Sequence, residues 1–232
     1  MQRKRAPVRP ARKATGKASA ATKKSKKAPS SASAAAAATA STTATDGRRR
    51  ELVLAAYKLI AEIGLEELRT RDIAAKVGIN ISTLHYYFET KEDLIAAVVD
   101  HMTELFRTLR APLPAGATAL EELRHAFVTQ AYRRRVEPSL EVVVQEMMMR
   151  ARRDEKVRVR LEQMLLGWNG YVEALIARGI ASGDFASDLD PKIAAAIVTA
   201  FAMGSNVQSG VRPSSFPQEA AYERLVALLK PR

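Results

Sequence analysis

The chain has 232 residues, with 37 Lys and Arg against 25 Asp and Glu, and no cysteine. That length supports one or two domains with a sizeable core. The missing thiols exclude disulfides and thiolate metal sites and suit a reducing, cytoplasmic setting.

The formal charge of +12 is unevenly placed: residues 1–45 hold 11 Lys or Arg and no acid, so residues 46–232 are almost neutral. Apart from Met1, Val8 is the only large apolar side chain in that arm. So polar a segment cannot offset its ordering entropy, and residues 1–45 are expected to be disordered. Such an arm would add salt-dependent DNA affinity without reading sequence; a solubilising tail or an over-extended gene start are the plainer readings. No apolar run reaches the roughly 18 residues of a membrane span, and no hydrophobic segment follows the basic start to make a secretory signal. His85, His101 and His125 lie far apart without ligand spacing, so no metal is expected.

From Asp46 the pattern changes. With Asp46 as N-cap, Leu52, Ala56, Leu59, Ile60 and Ile63 recur at helical spacing up to Gly64, which predicts a helix over 47–63. Arg48, Arg49 and Arg50 would then sit in its first turn, where the helix dipole disfavours cations and a phosphate would explain them. Thr70 is expected to cap a second helix, about 71–77, and a third spans about 81–87. Gly78 between them can adopt positive φ and turn the chain sharply. Ile73, Ala74, Val77, Ile79 and Leu84 would close the wedge of a helix-turn-helix or of an ordinary helical hairpin. Thr90-Lys91-Glu92-Asp93 has the form of a capping box and opens a fourth helix, about 91–110, stopped by Pro112 and Pro114.

Residues 48–94 resemble the DNA-binding domain of the Tet repressor (TetR) family. R-R-R-E-L-V-L-A-A-Y-K-L-I-A-E-I-G-L is similar to that family's first helix. T-R-D-I-A-A-K-V-G-I-N-I-S-T-L-H-Y-Y-F-E-T-K-E-D-L is similar to its recognition unit and the run into helix 4. The resemblance covers roughly a fifth of the chain. It implies that Thr70 and Lys91 meet phosphates and that Arg71 reaches a base edge or a phosphate. It also implies that Ile81, Ser82, Thr83 and His85 project towards double-stranded DNA while Tyr86 and Tyr87 touch phosphate or sugar. Arg49 joins the DNA-binding set from its place in helix 1. His85 departs from the tyrosine common at its position and introduces a titratable ring.

Beyond Gly116 the pattern is helical throughout, so the fold class expected is all-α with about nine helices. The domains expected are the arm 1–45, a DNA-binding domain 46–94 and an effector-binding and dimerisation domain 95–232. Thr118 with Glu121 is a capping box for helix 5 (about 119–135), Pro138 or Ser139 begins helix 6, and Asp154 caps a long helix 7 ending near Ser182. Met102, Phe127, Met147, Met148, Met164, Trp168 and Tyr171 are candidates to line an adaptable, largely apolar effector pocket. Asp190-Pro191 starts helix 8 (191–208), rich in small residues, and helix 9 covers about 217–230. Ile193, Ile197, Ala200, Phe201, Gly204, Leu225 and Leu228 are expected to face a second copy in an isologous four-helix bundle.

There is no G-x-x-x-x-G-K-[ST] loop, no G-x-S-x-G elbow and no G-x-G-x-x-G, so neither an enzyme nor a cofactor is expected. The reading is a homodimeric transcription regulator, a repressor of a palindromic operator released by a small molecule, with helix 4 coupling the two halves. The competing reading is an architectural DNA-binding protein dominated by its basic arm.

Overall fold

A computed structural model describes residues 31–212 and 215–231, with side chains from residue 45 onward. The chain divides at Thr42/Thr43. Among the described residues there are nine helices and no strand: α1 (Ser31–Ile63), α2 (Thr70–Val77), α3 (Ile81–Tyr87), α4 (Lys91–Thr108), α5 (Ala119–Val136), α6 (Ser139–Arg150), α7 (Glu155–Ser182), α8 (Pro191–Val211) and α9 (Gln218–Leu229). Within them no helix is long and apolar enough to cross a membrane, and no acidic or histidine cluster could hold a metal.

The first helix differs most from expectation. It begins at Ser31 rather than at 47, so Asp46 lies inside it and caps nothing. Eight of the fifteen residues from Ser31 to Thr45 are alanine, the best helix former, and the single interior Gly47 costs only about 1 kcal/mol against them. Residues 31–45 are therefore helical where disorder was expected, whereas that expectation for residues 1–30 falls outside the described residues. Arg48 to Arg50 lie mid-helix, which removes the dipole argument for a phosphate beside them.

Later boundaries obey local signals closely. The Thr118–Glu121 capping box is reciprocal, the Asp154 carboxylate accepts from the Lys156 and Val157 amides, and Asp190 accepts from the Ile193 amide ahead of Pro191. Thr90 accepts from the Asp93 amide and donates to the Asp93 carboxylate at 2.6 Å.

Buried side chains form two clusters. The first joins Leu52, Ala56, Tyr57 and Ile60 of α1 with Ile73, Leu84, Phe88 and Leu94 to Met102, and continues into Leu140, Val143, Met147, Val157 and Leu161. Residue 94 is thus no packing boundary, because α4 is buried against the reader at its start and against α6 and α7 further on. The second cluster holds Leu123 and Phe127 of α5, Val172 to Ile176 of α7, Phe185, Ala194 to Val198 of α8, and Tyr222 to Leu229 of α9.

Candidate nucleic-acid interface

Three helices present one polar edge. Gly78 ends α2 with φ 73°, a left-handed conformation that a Cβ would strain, and its amide returns to the Ala75 carbonyl. Two residues on, the Asn80 side chain caps α3 by accepting from the Thr83 amide at 2.7 Å. Ile73, Ala74 and Leu84 are buried between the helices, and Val77 and Ile79 pack against them half-buried. Leu84 anchors α3 from below, so Ile81, Ser82, His85 and Tyr86 are turned outward, Tyr86 with 78% of its surface exposed. Tyr87 is half-buried and meets the Tyr86 ring edge-on at 5.2 Å.

The ten candidate residues therefore divide. Arg71, Ile81, Ser82, His85 and Tyr86 lie open on the edge, Arg71 only loosely paired with Asp72 at 3.6 Å. Thr83 is half-buried, its hydroxyl donating to Asn80 Oδ1 at 2.9 Å. Thr70 is the first residue of α2 rather than its cap, a place taken by Arg69 without a side-chain bond. Arg49 reaches across from α1, donates to the Tyr87 carbonyl at 3.0 Å and lies 4.0 Å over the Phe88 ring. It fastens α1 to the end of α3, and part of its donor capacity is already committed. Lys91 donates to the Leu68 carbonyl, which places its ammonium group beside the start of α2. A phosphate there would meet that ammonium and the free amides of α2 together.

Sequence reasoning passed over Asn80. The signal was present, an asparagine directly before a short apolar-periodic run. It also passed over how the reader is tied down. Lys76 of α2 pairs with both Glu62 oxygens of α1 at 2.9 Å, and the Leu65 amide donates to Glu146 of α6 at 3.1 Å. At the start of α4, Glu92 meets Arg150, Asp93 meets Lys156 at 2.6 Å, and Arg150 turns to Asp154 at 3.1 Å. Basic residues at this corner, Arg150 and Lys156, thus clamp α4 to the α6–α7 corner. The hydrogen bond from Lys156, with help from Thr90, holds the Asp93 carboxyl below the usual range. Such exposed pairs contribute little each, but a network fixes orientation.

The seven pocket candidates do not share one cavity wall. Met102 and Met147 are fully buried, with Met148 and Met164 beside them, in the first cluster. Phe127, Trp168 and Tyr171 belong to the second. Phe127 stacks flat on Tyr222 with centroids 4.0 Å apart, and the Tyr171 hydroxyl donates to Glu122 at 2.7 Å, its pKa pushed up to about 12 mainly by burial. Of the dimer candidates, Ile193, Ile197, Ala200, Gly204 and Leu228 are exposed, with Ile197 at 54% and Leu228 at 64%. Leu225 instead faces its own core, and Phe201 is half-buried, its ring edge-on to Tyr222 at 5.6 Å. Apolar character alone did not distinguish the two sides of α8 and α9. The open stripe continues through Val207 and Val211.

Comparison with known proteins bears on the same two halves. Residues 52–98 match the family model described as bacterial regulatory proteins, tetR family, and residues 143–225 match a tetracyclin repressor-like C-terminal domain. The chain is 30% identical over 155 residues to the HTH-type transcriptional repressor KstR2 of Rhodococcus jostii, covering 64% of this chain and 72% of that relative. In fold it is similar to a structure assigned to the TetR family from Rhodococcus sp., with TM-score 0.71 and 21% identity over 79% of this chain and 98% of the other. It is also similar to the transcriptional regulator FadR of Bacillus subtilis in complex with stearoyl-CoA, with TM-score 0.60 and 20% identity over 77% and 96% of the two chains.

Proposed function

Because this chain belongs to the tetR family of bacterial regulatory proteins, we propose how a DNA-binding transcriptional regulator of its sequence meets its partners. It acts as a homodimer on a palindromic operator, with one α3 in each half-site's major groove and a small-molecule effector releasing it. The observation that carries the reading is the α3 edge: Ile81, Ser82, His85 and Tyr86 stand outward on a helix fixed at its start by Asn80 and from behind by Leu84 and Arg49. A rigid, half-polar helix edge beside a helix N-terminus and a lysine suits base contact flanked by phosphate contact. Ile81 offers no hydrogen bond, so its share of specificity is contact with a thymine methyl. Thr83 is left to support the helix, and Arg49 to hold its far end.

The open α8 stripe supports dimerisation, because a contiguous row of apolar side chains on two adjacent helices otherwise stays in water. An effector with an apolar body fits the aromatic content of the second cluster, and the stearoyl-CoA held by the FadR structure is a precedent for that class. The coupling runs along α4, clamped to the reader through Lys91 and to the α6–α7 corner through Glu92 and Asp93.

Two measurements test this. Fluorescence anisotropy of the full chain on a palindrome from its own upstream intergenic DNA should show roughly 10³-fold or greater preference over scrambled duplex. Equal affinity for both would sink the sequence-reading role. In sedimentation at micromolar concentration the protein should run as a dimer, and Ile197→Asp with Leu228→Asp should run as a monomer. A wild-type monomer with intact operator binding would refute the assembly.

A further inference from the structure

The interior between α5, α8 and α9 is more polar than an apolar effector needs. Tyr222 of α9 donates to Gln130 of α5 at 2.6 Å and accepts from Gln218 at 2.9 Å, so those three groups are satisfied. Around them, several are not. Among the described residues, Arg134 Nε and Nη2, Arg133 Nε and the Ser209 hydroxyl are buried without a hydrogen-bond partner. Ser209 as a whole is 8% exposed. Unpaired buried donors are costly, so the two of these residues that line one cleft, Arg134 and Ser209, call for an acceptor.

Glu141 of α6 does not supply it. Its carboxyl is within electrostatic reach of both arginines but forms no ion pair with either. Burial pushes that carboxyl up, against the opposing pull of Arg134 and Arg133. Burial likewise pushes the Arg133 guanidinium down to about 10. Arg133 already has a place, its guanidinium lying 4.9 Å over the Phe106 ring of α4. Arg134, one residue on and therefore about 100° further round α5, lines instead an open cleft of about 500 Å³ bounded by Ser209 of α8 and by Phe216, Pro217, Gln218, Glu219 and Ala220. Glu219 on that rim is exposed and makes no ion pair with Arg134.

We propose that this cleft binds the anionic group, carboxylate or phosphoryl, of an amphiphilic small molecule. The Arg134 guanidinium acts as the main anchor and the Ser209 hydroxyl as a second donor. Phe216, Pro217 and Ala220 supply an apolar wall for the ligand's carbon chain. A planar guanidinium presents two parallel donors to such an oxyanion, which a lysine could not. The position also explains how occupancy is sensed: Arg134 and Arg133 are successive residues of α5, one in the cleft and the other on Phe106 of α4. A ligand that draws Arg134 turns the helix that carries Arg133, and α4 leads to the reader. This regulatory consequence rests on the effector reading; the binding itself does not.

The test is calorimetric titration of the full chain with hexanoate, hexyl phosphate and hexan-1-ol as matched probes. Both anions should bind and the alcohol should not, and the tighter of the two anions identifies the carboxylate or phosphoryl source. Arg134→Met should weaken anion binding roughly 10- to 100-fold, and Ser209→Ala, which leaves the charge in place, roughly 2- to 10-fold. Equal binding of hexan-1-ol, or unchanged anion binding by both variants, overturns the proposal. So does sedimentation showing that Arg134→Met dissociates the dimer, because Arg134 would then be an interface residue. Anion binding that leaves operator affinity unchanged keeps the site and overturns the effector reading instead.

Discussion

Gly179 lies in the last turn of α7, where Phe185 folds back beneath the helix. A methyl group added at Gly179 would stand 2.1 Å from Phe185 Cδ2, 2.4 Å from its Cε2 and 3.0 Å from the Ala119 Cβ. Phe185 is 1% exposed and its ring is rigid, so it cannot yield as the end of a flexible chain would. Overpacking of this kind costs about 1–3 kcal/mol, and expelling the ring altogether costs about 3–5 kcal/mol. Against either, alanine gains about 1 kcal/mol of helix propensity over glycine. The net for Gly179→Ala is a loss of about 2 kcal/mol, or a Tm lower by roughly 4–8 °C at this chain length. Thermal unfolding followed by circular dichroism measures it. Pairing the change with Phe185→Leu should recover part of the loss, because the two side chains compete for one volume. Operator binding at 20 °C should be unchanged, because Phe185 belongs to the second cluster and not to the one beneath the reader. An unchanged or raised Tm would refute the reasoning, since propensity would then outweigh the clash.

Three further outcomes are expected. Asn80→Ala removes the α3 cap and the acceptor of the Thr83 hydroxyl, costing about 1 kcal/mol in denaturant unfolding, and Asn80→Asp should restore it; equal loss in both would argue against capping. Tyr222→Phe leaves Gln130 without its 2.6 Å donor and should cost about 1–3 kcal/mol; a neutral result in urea titration would mean that water replaces the hydroxyl. His101 lies edge-on to Tyr57 at 5.1 Å, and burial lowers its pKa despite the charges of Glu137 and Glu104. The unfolded chain therefore binds the extra proton first, so this contribution to stability is complete above the ordinary histidine pKa of about 6.5 and is lost as pH falls below it. Tm should fall between pH 7.5 and pH 5.5, more steeply in wild type than in His101→Phe; parallel slopes would rule this histidine out.

Much of the molecule was legible before any coordinates. Element identity came from local physics: capping residues, prolines and helical periodicity act within a few residues of where they are written. Thr118, Asp154 and Asp190 did what their sequence neighbourhoods required, and the wedge of Ile73, Ala74 and Leu84 around Gly78 is set by spacing alone. What periodicity could not supply was direction and partner. An apolar residue on α8 or α9 is equally consistent with the core or with a second subunit, which is why Leu225 and Leu228 face opposite ways.

The same limit applies to polar groups. Sequence marks Thr83 and Arg49 as DNA contacts but cannot show that each also holds a partner within the chain, Thr83 through Asn80 and Arg49 through Tyr87 and Phe88. The methionines and aromatics that suggested one pocket are divided between two clusters by the path of α7, which no count of residues encodes. The orphaned donors of Arg134 and Ser209, far apart in the chain, exist as a group only after α5, α8 and α9 pack. Sequence alone determined which helices form and which of them could read DNA, because those are short-range interactions. Tertiary structure decided which side chains remain free to act, because a hydrogen bond or a burial is settled by whatever distant segment arrives beside it.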